Sequence, residues 1–187
     1  MNDDIIVHLD MDGVLVGLNE GYQRISKGMS FDEYAEKYGR PAAIVHFLKR
    51  NKDFWADLPW ERGGEEVYQT AKRLYKDVRV LSSTGTGEIN PRFHEIKEGK
   101  LKWVAKYGLE FAQVVIVPDR HEKQRHATPM SILVDDVAST IKEWDDQAGT
   151  GILHDSRRYH RTLIELEEYS KPLFFSEIAK RAAHWKS

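Results

Sequence analysis

The stretch IIVHLDMDGVLV, residues 5–16, decides how this chain is read. Five mostly apolar residues, Ile5 to Leu9, run straight into Asp10, Met11, Asp12 and Gly13. An Asp-x-Asp-Gly by itself is a common turn. Directly after a short Val/Ile-rich run, it also delivers two carboxylates to the end of a buried strand. Residues far along the chain choose between the two.

The bulk composition narrows the classes. The chain has 187 residues, enough for one domain with a modest insertion and a substantial core. It is 41% hydrophobic and 31% charged, as a water-facing globular protein is. With 28 basic and 30 acidic residues there is no excess charge to coat a nucleic acid or a membrane. The absence of cysteine excludes disulfides, thiolate metal sites and cysteine nucleophiles. No apolar run approaches the ~20 residues of a membrane span. The opening MNDDIIVHLD is acidic and does not read as a signal peptide, so a cytoplasmic protein is expected.

Four further apolar runs follow Ile5–Leu9: Val78–Leu81, Val114–Val117, Ile132–Val134 and Gly151–Leu153. Each is short and nearly continuous, as in strands covered on both faces of a parallel sheet. Helical patterns lie between and after them, over Glu65–Tyr75, Lys100–Tyr107 with a stop at Gly108, Ser139–Gln147 with Ser139 as cap, Leu163–Tyr169 and Ser176–Trp185. The alternation predicts an α/β, Rossmann-like three-layer sandwich with a central parallel sheet. One interval is too long. About 60 residues separate the first two strands, far more than a crossover needs. The excess reads as helices over Asn19–Ser26, Ser30–Tyr38 with Ser30 as cap, and Pro41–Asn51. Residues 17–62 are therefore expected to form a small helical cap, with 1–16 and 63–187 as the core.

In open parallel sheets, ligands bind at the carboxyl ends of the strands. Asp10 and Asp12 follow the first strand, Ser82 and Ser83 the second, Lys123 the third, and Asp135 and Asp136 the fourth. Four clustered acids repel one another unless a cation sits among them. An all-oxygen donor set without histidine or cysteine suits Mg²⁺. Hydroxyls, a lysine and Mg²⁺ together form a receptor for a phosphoryl group. Asp10 can then attack phosphorus, and Asp12, two positions on, can serve the leaving-group oxygen as acid and then base.

In this order of motifs the sequence resembles the haloacid dehalogenase-like phosphohydrolase superfamily. The resemblance rests on LDMDGVL, VLSST, the lysine of PDRHEKQRHA, and ILVDD. It implies an aspartyl-phosphate on Asp10, Asp12 as acid/base, and phosphate held by Ser82 and Lys123, with Ser83 as a second candidate. It implies Mg²⁺ on Asp10, the main-chain carbonyl of Asp12, and at least one of Asp135 and Asp136. Within the superfamily, DMDGVLVGLNEGY, KDFWADLPWERGGEEV, KLKWVAKYGL and SILVDD followed by GILHD look like 5'(3')-deoxyribonucleotidases and similar small phage-encoded hydrolases. The match spans roughly residues 4–155. It implies a phosphomonoesterase acting on a small phosphorylated substrate, a nucleoside monophosphate foremost, with Leu18, Tyr22 and Trp55 as candidates for the substrate pocket. The chain departs from that pattern at Leu18, where an aromatic is usual, at Ser82-Ser83 instead of Thr-Ser, and in a longer, more charged segment around Lys123.

Other readings compete. A phosphatase of polynucleotide ends would use the same chemistry, though the near-zero charge is against it. A receiver-type signalling module carries its acidic pair after the first strand and a lone aspartate after the third, whereas this chain has DxD after the first and a second acidic pair after the fourth. Asp135 and Asp136 could cap a helix. Phe54, Trp55, Trp60 and Tyr22 could simply pack. Arg120 and Arg125 rival Lys123, and RRYHR at 157–161 reads as a solvated face.

Overall fold

The structure is a computed structural model that describes residues 2–39, 42–44, 46, 53–86, 88, 92–172, 174, 176 and 178. Five parallel strands form one sheet: β1 (Asn2–Leu9), β2 (Tyr75–Ser83), β3 (Gln113–Val117), β4 (Ser131–Asp135) and β5 (Thr150–Leu153), in the order β3-β2-β1-β4-β5. All five apolar runs are strands. Helices α1 (Leu18–Ile25) and α2 (Phe31–Tyr38) lie between β1 and β2 in the chain. The crossovers and the last layer are α3 (Gly64–Leu74), α4 (Arg92–Lys106), α5 (Ala138–Asp146) and α6 (His160–Tyr169). The helix expected over 41–51 lies mostly outside the described residues, as does the one over 176–185.

Alternation along β1 explains why the sheet is central. Ile5, Val7 and Leu9 are fully buried in the larger core, against Val67 and Ala71 of α3. His8 points the other way and meets the ring of Trp144 edge-on at 5.2 Å. On that face Leu81, Val117, Leu133 and Ile141 complete a second, smaller core. Apolar layers on both faces explain strands that read as unbroken Val/Ile/Leu runs.

Three local expectations shift. Tyr75 is the first residue of β2 instead of the last of a helix; it is fully buried and its hydroxyl donates to Leu166 O at 2.7 Å. Helix α4 begins at Arg92, not Lys100, and runs straight through Gly99. Ser139 caps nothing: α5 starts after Val137, whose N–H donates to Asp135 Oδ1 at 2.9 Å. Ser30, by contrast, caps α2 as expected. Its Oγ accepts from Glu33 N at 3.1 Å while Glu33 Oε2 accepts from Ser30 N at 2.7 Å, a complete capping box.

A buried histidine ties β5 to α6. His154 is 3% exposed, with Nδ1 3.0 Å from Thr162 Oγ1. Burial pulls its pKa down to about 4, although nearby Asp155 acts in the opposite direction. Above the unfolded value near 6.5 the ring is neutral in both states and its contribution is complete. As pH falls below 6.5 the unfolded chain takes up a proton that the folded ring resists, and stability drops until about pH 4. The expected loss at this one site is about 3 kcal/mol. Urea unfolding at pH 7 and pH 4 checks it: His154→Asn should lose that much less on acidification than the parent, and parallel losses would refute the assignment.

Candidate active site

The strand ends converge as the motif order requires. Asp10 leaves β1 with its N–H donating to Val134 O of β4 at 3.0 Å, so the first and fourth strands end side by side. Asp10 Oδ1 accepts from Met11 N at 2.7 Å, which fixes its rotamer. The loop then folds on itself: Gly13 N donates to Val16 O at 3.0 Å and Val16 N to Met11 O at 2.7 Å. Gly13 has φ +79°, and a Cβ there would stand 2.3 Å from Asp136 Oδ2. Only glycine permits both the turn and the close approach of the fourth-strand acid.

Lys123 lies on a 3-10 helix, Arg120–His126, whose first turn is capped by Asp119. The ammonium is 2% exposed and sits 3.0 Å from Asp10 Oδ2 and 2.7 Å from Asp135 Oδ2. Burial alone would lower its pKa, but the two carboxylates outweigh burial and hold the ammonium charged. Its rivals stand elsewhere. Arg125 pairs at the surface with Glu122 at 3.0 Å. Arg120 is exposed at the edge of the chamber. Asp135 is fully buried; one oxygen faces Lys123 and the other accepts from Val137 N. Asp135 thus does not cap α5, whose N-cap Val137 has no side-chain cap; it holds the loop before the helix through Val137 N–H.

Asp10, Asp135 and Asp136 each present a carboxylate oxygen within 4.8 Å of the others. Asp136 is open to the chamber yet hemmed in by protein. That partial desolvation, then the charges of Asp10 and Asp135, raises its pKa, and Lys123 opposes the rise. Crowded hard oxygens of this kind fit Mg²⁺, which would relieve the repulsion.

Lys100 is the residue the sequence reading missed. Its ammonium is 1% exposed and donates to Asp12 Oδ2 at 2.6 Å and to Ser82 Oγ at 2.9 Å. Burial raises the pKa of Asp12, with Lys100 opposing and Asp10 adding to the rise. A signal was present in the sequence: Phe93, Ile96, Lys100, Trp103 and Val104 form the buried stripe of α4 at 3- and 4-residue spacing, and a lysine in such a stripe needs a partner.

A chamber of about 330 Å³ opens over these groups. Ser83 lines it, whereas Ser82 is buried and is bonded by Lys100. Leu18, Asn19, Phe31 and Asp32 wall the side of α1 and α2. Of the three pocket candidates, Leu18 alone lines this chamber. Tyr22 is fully buried and meets Phe31 edge-on at 5.5 Å and Phe54 at 6.5 Å. Trp55, 5% exposed, covers Lys100. Phe31, a residue the sequence did not single out, takes the aromatic place at the wall. Trp60 packs edge-on against Trp103 at 4.8 Å. Arg157 and Arg158 of the basic run reach Asp155 at 3.1 and 3.0 Å at the surface.

No family model matches the chain, and no curated protein does. Solved structures match its fold. A hydrolase from Streptococcus pneumoniae is 14% identical with a TM-score of 0.51, covering 88% of this chain and 98% of its own. A dehalogenase is 12% identical with a TM-score of 0.52, covering 80% and 84%. The fold is that of these enzymes. This chain spans only 46% of a chain from the Pnkp1/Rnl/Hen1 complex, matching it over 81% of its own length at 15% identity and a TM-score of 0.48. No helix among the described residues is long and apolar enough to cross a membrane.

Proposed function

We propose that the chain is a Mg²⁺-dependent phosphomonoesterase of the haloacid dehalogenase-like kind, working through an aspartyl-phosphate on Asp10. The observation that carries the reading is the buried Lys123 bridging Asp10 and Asp135, with Asp136 and Asp12 beside them at one sheet edge. A carboxylate nucleophile needs its own charge and that of the phosphoryl group offset, and the site supplies cations for both. Mg²⁺ on Asp10, Asp135, Asp136 and the Asp12 carbonyl would polarise the phosphoryl oxygens and screen the acids.

The chain's own residues account for the rest. An Asp10 oxygen attacks phosphorus as the bond to the leaving oxygen breaks. Asp12 gives that oxygen its proton. Asp12 then takes a proton from water, the water oxygen attacks phosphorus, and the Asp10–phosphorus bond breaks to release phosphate. Lys123 and Ser83, which line the chamber, hold the phosphoryl group, and the buried Ser82 supports them from behind, bonded by Lys100. Residues 17–62 act as a cap that walls the leaving group from water, with Leu18 and Phe31 facing it. A nucleoside monophosphate is the proposed substrate, supported by a chamber of about 330 Å³ with one aromatic wall and a polar floor. Such a metabolic role suits a cytoplasmic enzyme.

Phosphate release from ribo- and deoxynucleoside 5'- and 3'-monophosphates, sugar phosphates and end-phosphorylated oligonucleotides, each with Mg²⁺ and with EDTA, tests this. Release from a mononucleotide at least about tenfold above the other classes, and abolished by EDTA, is expected. Preference for oligonucleotide ends or sugar phosphates would replace the substrate and leave the chemistry. Undiminished release in EDTA would refute the metal.

A further inference from the structure

Trp55 does no chemistry of its own and lines no part of the chamber, yet it sits one contact away from the reacting groups. Its ring lies over the Lys100 ammonium at 4.8 Å. That ammonium is 1% exposed and uses two of its three N–H donors on Asp12 Oδ2 and Ser82 Oγ. A buried ammonium with an unused direction is costly, and an indole face satisfies it electrostatically without competing for its hydrogen bonds. The approach is specific to the neighbouring residue as well. A Cβ on Gly99 would stand 2.6 Å from Trp55 Cβ, so the helix backbone is bare where the indole crosses it. Phe54 packs against the indole as well, the two rings meeting edge-on at 5.6 Å. The Gly99-Lys100 pair in α4 thus forms a socket: the glycine admits the indole and the lysine lies beneath it.

We propose that Trp55 is a positioning residue of the cap, which holds the Lys100 ammonium against Asp12, with Ser82 as the second anchor of that ammonium, and so sets the proton donor. The consequence is a physical link between the cap and the catalytic acid. These contacts lead from residue 55 to Asp12 through Lys100. The inference rests on the role given to Asp12 above.

The chemistry supplies a readout that a merely structural role would not move. An alkoxide leaving group needs the proton from Asp12, whereas p-nitrophenolate leaves without one. Misplacing Asp12 should therefore slow formation of the aspartyl-phosphate selectively for alkyl phosphates, while its hydrolysis, in which Asp12 is the base, slows alike for both. With the full chain and Mg²⁺, Trp55→Leu is expected to lower kcat/KM, which reports the steps up to departure of the leaving group, about tenfold on β-glycerophosphate and far less on p-nitrophenyl phosphate. Trp55→Phe, which keeps a weaker π face, should recover most of the loss and serves if the leucine variant does not fold. In a Lys100→Met background, Trp55→Leu should add nothing to the difference between the substrates.

An equal fall in kcat/KM on both substrates would make Trp55 a substrate-contacting residue and overturn the proposal. So would additive effects with Lys100→Met. Asp12→Asn separates the two levels. A selective loss on β-glycerophosphate in Asp12→Asn, without one in the Trp55 variants, overturns the positioning role alone. No selective loss in Asp12→Asn removes the acid assignment, and this inference with it.

Discussion

Asp10→Asn should fold and yet release phosphate at least about a thousandfold more slowly than the parent, at every Mg²⁺ concentration. The amide keeps the size and the hydrogen bond from Met11 N, 2.7 Å from Oδ1 in the parent. It lacks the lone-pair basicity and charge needed to attack phosphorus. Folding should survive because Lys123 retains Asp135 at 2.7 Å. The substitution also removes one of three carboxylates that crowd within 4.8 Å. Without metal, the variant's melting temperature should therefore equal or exceed that of the parent. Full activity in Asp10→Asn would place the nucleophile elsewhere.

Lys123→Met should have the next largest effect, and on two quantities at once. The methionine fills the buried stem but takes away the charge that contacts both Asp10 Oδ2, at 3.0 Å, and Asp135 Oδ2, at 2.7 Å. Breaking a buried ion pair from one side leaves uncompensated charge, and about 3–5 kcal/mol of stability should be lost without metal. Activity should fall by about 10² to 10³, the usual cost of one electrostatic donor in a water-excluded site. Saturating Mg²⁺ should restore part of the stability, since it screens the same acids, but not the rate. Melting curves with and without Mg²⁺, beside steady-state rates, separate the two. A variant as stable as the parent in EDTA would mean that the lysine compensates nothing.

The reasons some features could be read from the sequence, and others not, are physical. β1 to β5 announce themselves because both faces of the sheet are covered, so Val, Ile and Leu run without alternation. The capping box of α2 is legible because its partners, Ser30 and Glu33, are three residues apart. The start of α4 was not. Gly99 looks like a boundary, and what calls for a glycine there is Trp55, 44 positions earlier in the chain and visible only in three dimensions. The same contact hides the role of Trp55 and of Lys100. Aromatic side chains between Tyr22 and Trp60 are equally suited to stacking on a base or on one another, and their neighbours in space decide. In Tyr22 the choice fell on Phe31 and Phe54; in Trp55 it fell on a buried ammonium. The strand-end motifs were legible because parallel topology carries every strand's carboxyl end to one edge, whatever the intervening loops contain.

The covalent intermediate is the centre of the account, and it can be trapped. Asp12→Asn should still be phosphorylated by p-nitrophenyl phosphate, whose leaving group needs no acid, but should hydrolyse the acyl phosphate slowly for want of a base. Quenching after one turnover and reducing with borohydride converts an aspartyl-phosphate to homoserine, which mass spectrometry of the peptide locates. Homoserine at position 10 is the predicted result. A full turnover of p-nitrophenolate and phosphate that leaves Asp10 unmodified under these conditions would contradict it.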